Sequence, residues 1–307
     1  MIVLGFDTSN YTTSVAAFDG TRGHNISRLL DVEQGSLGLR QSEALFSHVK
    51  RLPELTDRLF SDLPREEIGA IGVSTRPRAV EGSYMPCFLA GHSQAQVIGS
   101  VLQAPVYEFS HQQGHIAASL FSSGHMELMD EPHLAWHLSG GTTELLYVTP
   151  DGVNVHAEKI GGTTDISAGQ LIDRTGKLLG LSFPAGKQID VLSQTAQDKT
   201  VFHVKVHGTE FSLSGVQNKV EQYHNGNAAE TAGFALRCLI GAIVKATKNA
   251  LQEYPCKVVF AGGVASNSLL REKCKQMPCI FCPPQYATDN ALGIAVLAWR
   301  AHHAANL

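Results

Sequence analysis

A hairpin plan written twice limits this fold more than any other feature of the sequence. Residues 2–20, "IVLGFDTSNYTTSVAAFDG", pass from an apolar run through the polar turn Asp7-Thr8-Ser9-Asn10 into a second strand-like run that closes on Asp19-Gly20. About 130 residues later "LAWHLSGGTTELLYVTPDG" repeats the scheme, with Ser139-Gly140-Gly141-Thr142-Thr143 as the turn. Turn residues between β-rich runs predict a hairpin in each copy. Two copies imply two sheets to bury, and 307 residues suffice for two lobes, each with its own core.

The remaining chain alternates helical and strand-like stretches. "SEALFSHVKRLPELTDRLF", "MPCFLAGHSQAQVIGSVL", "TDISAGQLIDRTGKLLG" and "TAGFALRCLIGAIVKATKNALQEY" carry apolar residues at helical spacing. "IGAIGVS" and "CKVVFAGGVASN" read as strands, and "SFPAGKQID" as a breaker. Thr288 or Asp289 is expected to cap a last helix over "NALGIAVLAWRAHHA", and Asp165 to cap the helix after it, with Lys177 on a solvated face. The whole reads as α/β, with an N-terminal lobe over 1–108 and a C-terminal lobe over 109–307. The last helix of the C-terminal lobe would pack back towards the first lobe.

The net charge of -4 argues against a protein that grips nucleic acid by charge alone. No membrane-length apolar run and no signal-like N-terminus is visible, so a cytoplasmic protein without membrane contact is expected. Six cysteines in such a chain favour free thiols. "CIFC" at 279–282 has zinc-ribbon spacing, but no second CxxC accompanies it, and a strand is expected there.

Three turns after buried-looking strands carry small or hydroxyl residues: 7–10, 139–143 and 262–267. Such turns let backbone NH groups approach phosphate oxygens. Neither GxxxxGK[ST] nor GxGxxG occurs, which removes the P-loop and Rossmann readings. What remains is the duplicated, mixed-sheet plan of the actin, sugar-kinase and Hsp70 superfamily (the ASKHA fold), with a nucleotide in an interlobe cleft. "HQQGH" sets His111 and His115 on one face if the segment is helical. With 14 histidines in the chain and two more pairs at this spacing, His133 with His137 and His203 with His207, the spacing alone does not single it out.

Taken together, "FDTSNYTTSVA", "HQQGH", "LSGGTTELL", "GGTTDISAGQLIDRTGKLLGLSFPAGKQID", "FSLSGVQNKV", "AGGVASNSLLRE" and "PPQYATDNALGIA" resemble the tRNA threonylcarbamoyladenosine transferase family, formerly called O-sialoglycoprotein endopeptidase, over nearly the whole chain. The resemblance implies one divalent metal ion, iron or zinc, on His111, His115 and Asp289, with His137 as a further ligand. It also implies threonylcarbamoyl-AMP, or an ATP-like nucleotide, on His137, Leu138, Ser139, Gly140 and Gly141, with further contacts from Asp173, Gly186, Asp190 and Asn267, so that the C-terminal lobe carries both the metal and the nucleotide sites. The implied reaction passes a threonylcarbamoyl group from its adenylate to N6 of the adenosine beside the anticodon of tRNAs reading ANN codons. The implied partners are tRNA, a paralogous dimerisation protein and a small ATPase. No catalytic general base can be named.

The chain departs from the family pattern in ways that suggest a divergent bacterial paralogue. Thr142 stands where His or Asn is usual, "TRPR" (Arg76 to Arg78) replaces a glycine-proline-glycine turn, Asp7 replaces a common glutamate, and the chain is short. These departures leave open a second reading, a non-catalytic module that binds nucleotide and a partner. The peptidase of the old family name is disfavoured, because Gln112 sits where an HExxH enzyme keeps its basic glutamate.

Overall fold

In the computed structural model, which describes residues 1–9, 11–31, 40–61, 63, 67–283 and 291–306, the first apolar run becomes β1 (Ile2–Ser9), buried along its entire length. A strand covered on both faces needs such a run. It pairs antiparallel with β2 (Thr12–Phe18), which pairs antiparallel with β3 (Gly23–Leu29). On its other side it pairs parallel with β4 (Ile68–Arg76), and β4 with β5 (Val106–Ser110), giving the order β3-β2-β1-β4-β5.

Helix α1 (Gln41–Phe60) turns Ala44, His48, Leu52, Leu55 and Leu59 inward at helical spacing. With α2 (Phe88–Leu102) it covers a core of Leu4, Phe6, Val15, Ile71 and Val73. Full burial of each such large side chain is worth about 1.5–3 kcal/mol.

The second copy repeats this order. Strand β6 (His133–Leu138) pairs antiparallel with β7 (Thr143–Asp151) and parallel with β11 (Val258–Ala261), which pairs parallel with β12 (Cys279–Phe281). With β8 (Asn154–Thr163) beside β7, the series β8-β7-β6-β11-β12 matches β3-β2-β1-β4-β5, and two short strands, β9 (Val206–His207) and β10 (Glu210–Phe211), extend it. Between β8 and β11 lie α4 (Ala168–Leu178), α5 (Gly186–Ser193), α6 (Ser214–Tyr223) and α7 (Ala228–Glu253). In the core Trp136 stacks on Phe260, and its indole NH donates to Thr247 Oγ1 of α7 at 2.9 Å.

In the first copy α3 (His111–Ser123) follows β5, and in the second α9 (Leu292–Ala305) follows β12. These equivalent helices pack on each other where two glycines meet. A Cβ on Gly293 would stand 1.8 Å from the Gly114 carbonyl oxygen, so only bare backbone permits this crossing.

By contacts the chain forms two units. One holds Met1–Glu131, Thr149–Ala157 and residues 291–306; the other holds Pro132–Val148 and residues 158–283. The lobe boundary expected after residue 108 precedes α3. Its packing on α9 groups it with the first unit.

Other differences are local. The stretch read as a breaker contains α5 from Gly186 onward, started by a carboxylate that accepts the Ala185 NH. Asp165 does not cap α4. Ser167 does, in a reciprocal capping box with Gln170, while Asp165 accepts the backbone NH groups of Leu213 and Ser214 at the start of α6. The N-cap of α9 is Ala291, not Thr288 or Asp289, and both of those lie outside the described residues, as does Asn10 of the first turn. All six cysteines are free thiols, and residues 279–281 of "CIFC" form β12. Among the described residues no helix is long and apolar enough to cross a membrane.

Candidate metal and nucleotide sites

The histidine pair sits on the first turns of α3, and each of its neighbours in "HQQGH" has a structural task. Ser110 and Gln113 form a capping box that fixes the helix start, and Gln113 Nε2 donates to the Val155 carbonyl at 2.8 Å. The Gln112 NH donates to the Pro77 carbonyl at 3.0 Å, which ties the helix start to the "TRPR" segment. Gly114 is the crossing point with α9.

With the helix so fixed, the rings of His111 and His115 meet edge to face with centroids 4.3 Å apart, and their Nε2 atoms are 2.9 Å apart. Both residues are half-buried. Two nitrogens bound to one zinc or iron ion at 2.0–2.1 Å lie roughly 2.8–3.4 Å apart at octahedral to tetrahedral angles. The separation of 2.9 Å therefore fits one ion at octahedral angles, and a slight opening of the rings suits tetrahedral ones.

Behind His111 stands Asp7, fully buried on β1. Its Oδ2 is 2.9 Å from His111 Nδ1, and its Oδ1 accepts the hydroxyl of Ser74 on β4. A contact between residues 104 apart leaves no local signal in the sequence, and the segment expected to turn at Asp7 continues as β1 to Ser9. Burial, reinforced by the charge of Asp7, pushes the nearby Cys87 thiol up to about 11, so it stays protonated at neutral pH.

Among the described residues no three His, Cys, Asp or Glu side chains are grouped to hold one ion. Asp289, the third ligand that the resemblance implies, lies outside the described residues. His137 belongs to the second unit, half-buried at the end of β6 opposite Glu144.

In the second unit, Ser139 to Thr142 form the loop between β6 and β7. The Ser139 NH donates to the Thr142 carbonyl at 2.8 Å, and Ser139 Oγ accepts the Thr142 NH at 3.0 Å, so the hydroxyl closes the turn. Thr142, the departure from the family pattern, is half-buried beside this closure. A Cβ built on Gly140 or Gly141 would meet nothing within 4 Å, and both residues are exposed. The protein's own packing therefore does not require glycine at either position.

Helix α4 is set directly against this turn. Ser167 Oγ donates to the Gly140 carbonyl, and the Ala168 NH donates to Thr143 Oγ1 at 2.7 Å. A Cβ on Gly169 would stand 2.5 Å from Gly140 Cα. Gly169, Asp173 and Gly176 follow at i, i+4 and i+7 along one face of α4. Gly176 closes against Ala185, whose NH donates to Asp173 Oδ1 at 2.9 Å, one residue before Gly186. The stripe thus runs from the SGG turn past Asp173 to the start of α5.

Asp190 on α5 reaches the loop after β11. Its Oδ1 accepts from Asn267 Nδ2 and from Ser268 Oγ, each at 2.8 Å. Asn267 in turn caps α8 (Ser268–Lys273) through the Leu270 NH. Among the sequence-predicted contacts, the structure therefore brings Ser139 to Gly141, Asp173 and Gly186 along one face of α4, and Asp190 onto Asn267. Leu138, the last residue of β6, is buried.

Comparison with known proteins covers nearly the whole chain. A model of the tRNA N6-adenosine threonylcarbamoyltransferase family matches residues 33–296. The protein of that name from Carboxydothermus hydrogenoformans is 32% identical over 318 residues, covering 98% of this chain and 92% of its own. That of Streptococcus suis is 30% identical, covering 100% and 94%. Among solved structures, HypF from T. kodakarensis superposes with a TM-score of 0.61 at 13% identity over 98% of this chain and 46% of its own. A ROK family protein from Streptococcus pneumoniae gives 0.55 at 13% over 99% and 100%. At such identities the structures speak for the fold, which is of the actin, sugar-kinase and Hsp70 type. By its sequence, then, the chain belongs to the tRNA N6-adenosine threonylcarbamoyltransferase family.

Proposed function

We propose that the chain modifies tRNA by passing a threonylcarbamoyl group from threonylcarbamoyl-AMP to N6 of the adenosine beside the anticodon in tRNAs reading ANN codons. One observation carries this reading: in a chain of this family, the two imidazoles of "HQQGH" turn their Nε2 atoms to within 2.9 Å of each other. His111, His115 and Asp289 would hold one iron or zinc ion. When bound, that ion supplies a Lewis acid and a template for the threonylcarbamoyl oxygens.

The protein's own residues do the rest. Gly140 and Gly141 leave open space over the SGG turn, so the AMP phosphate can approach backbone NH groups there. Those donors stabilise negative charge as AMP leaves. Asp173 and Asp190 suit ribose hydroxyls, and Asn267 suits ribose or base. The residues assign no general base.

The partners in this reading are tRNA, a paralogous protein and a small ATPase, and the chain would work in the cytoplasm. A paralogous partner fits apolar side chains left exposed on the first unit: Phe46 and Val49 on α1, Val97 and Val101 on α2. Each pair lies three or four residues apart, on one helix face.

The replacements at 76–78 favour the alternative of a non-catalytic module. Arg76 lines an open cavity of about 440 Å³ together with Val80, Glu81 and Tyr84, next to the segment tied to α3. Complementation of a strain that lacks its own transferase separates the two readings. Threonylcarbamoyladenosine restored in its tRNA supports the enzyme, and unmodified tRNA despite bound nucleotide supports the module.

A further inference from the structure

We propose that Asp7 is a positioning residue for the histidine pair: it fixes the tautomer of His111 so that the Nε2 lone pair faces His115. The proposal rests on the reading of His111 and His115 as a metal pair, although its tautomer claim can be decided without metal.

Asp7 occupies a strand that is buried throughout, where a carboxylate persists only if both oxygens are engaged. Both are. Ser74 Oγ, on the neighbouring parallel strand, donates to Oδ1, and His111 Nδ1 stands 2.9 Å from Oδ2. A carboxylate oxygen can only accept, so the hydrogen between Asp7 and His111 belongs to Nδ1. Neutral imidazole carries one ring hydrogen, which leaves Nε2 of His111 as an acceptor.

The facing atom is Nε2 of His115 at 2.9 Å. With both rings neutral in the metal-free protein, that atom donates, because two lone pairs at this distance repel. For both rings to face one ion, His115 must carry its hydrogen on Nδ1 instead. His111 needs no such change, since Asp7 has set it already. A carboxylate behind a histidine is a recurrent support for metal ligation, and its loss typically lowers affinity 10–100-fold. Asp7 stands at Nδ1 of His111, whereas the ring meets His115 through Nε2, so the carboxylate acts on the ligand from behind it. Ser74 acts one step further out by fixing the rotation of the carboxylate.

The test uses the full chain labelled with ¹⁵N-histidine, stripped of metal, and reads the ring nitrogens by long-range ¹H–¹⁵N NMR. The wild type should show His111 protonated on Nδ1 alone. Asp7→Asn should shift His111 to a mixture or to the Nε2–H form, and lower Zn²⁺ affinity in a competition titration by 10–100-fold. Ser74→Ala should produce smaller changes in the same directions, and it decides the matter if Asp7→Asn does not fold. An Nε2–H tautomer in the wild type, or an unchanged tautomer in both variants, overturns the proposal. A correct tautomer in a wild type that binds no Zn²⁺ leaves Asp7 as the orienting group and removes the metal reading instead.

Discussion

At the scale of a residue, Gly140 and Gly141 allow the proposed nucleotide binding to be tested apart from folding. A Cβ at either meets nothing within 4 Å, so Gly140→Val should change unfolding stability by less than about 0.5 kcal/mol. Because the new side chain would stand over the turn, nucleotide affinity by calorimetry should fall at least tenfold, a loss of about 1.4 kcal/mol or more. Equal affinity would remove the SGG turn from the site.

His48 gives a second residue-scale prediction. It is fully buried on α1 with Nδ1 2.8 Å from Thr13 Oγ1, and burial pushes it down to about 4. The unfolded chain protonates this histidine near pH 6.5 while the folded chain resists until about pH 4, so the unfolded state binds more protons in between. Stability is therefore unaffected by His48 above pH 6.5 and falls as the pH drops towards 4. Urea titrations should show His48→Gln losing about 2 kcal/mol less than the wild type between pH 7 and pH 5.

At the scale of an element, the crossing of α3 and α9 sets the histidine pair. Gly293→Ala forces a Cβ against the Gly114 carbonyl and should destabilise the protein by about 1–3 kcal/mol. It should also weaken Zn²⁺ binding, because the helix that moves carries His111 and His115. Asp165 makes a parallel case at α6. Burial opposes its charge, yet hydrogen bonds from Ser212, Ser214 and Leu213 outweigh it and hold the carboxyl well below the usual range. Asp165→Ala should cost about 0.5–2 kcal/mol, like a lost N-cap. That contribution is present above the unfolded pKa and disappears only as the pH falls through the folded one.

The elements differ in how far the sequence announced them. The two hairpins and α1 were legible because alternation and helical spacing are local signals. Helix α5 was not: Pro184 and Gly186 read as a breaker, and the group that starts the helix, Asp173, lies twelve residues upstream on another helix. The site shows the same division. The spacing of "HQQGH" is visible in sequence, whereas the partnership of Asp7 with His111 and of Asp190 with Asn267 joins residues 104 and 77 apart and exists only in the fold.

For the whole molecule, a net charge of -4 leaves little general attraction for a polyanion. The chain alone should bind tRNA no more tightly than about 1 µM at physiological salt, within the range of non-specific binding. The proposed paralogous partner should then be required, and Val101→Asp, placed on an exposed apolar position of α2, should weaken that association measurably in ultracentrifugation while leaving the chain folded. The most direct measurement is a single turnover with purified chain, its partner proteins, tRNA and preformed threonylcarbamoyl-AMP, with the tRNA nucleosides weighed by mass spectrometry. The wild type should yield threonylcarbamoyladenosine, and His111→Ala and Gly140→Val should not; unmodified tRNA with the wild type, or equal yields from all three, would overturn the proposed transfer.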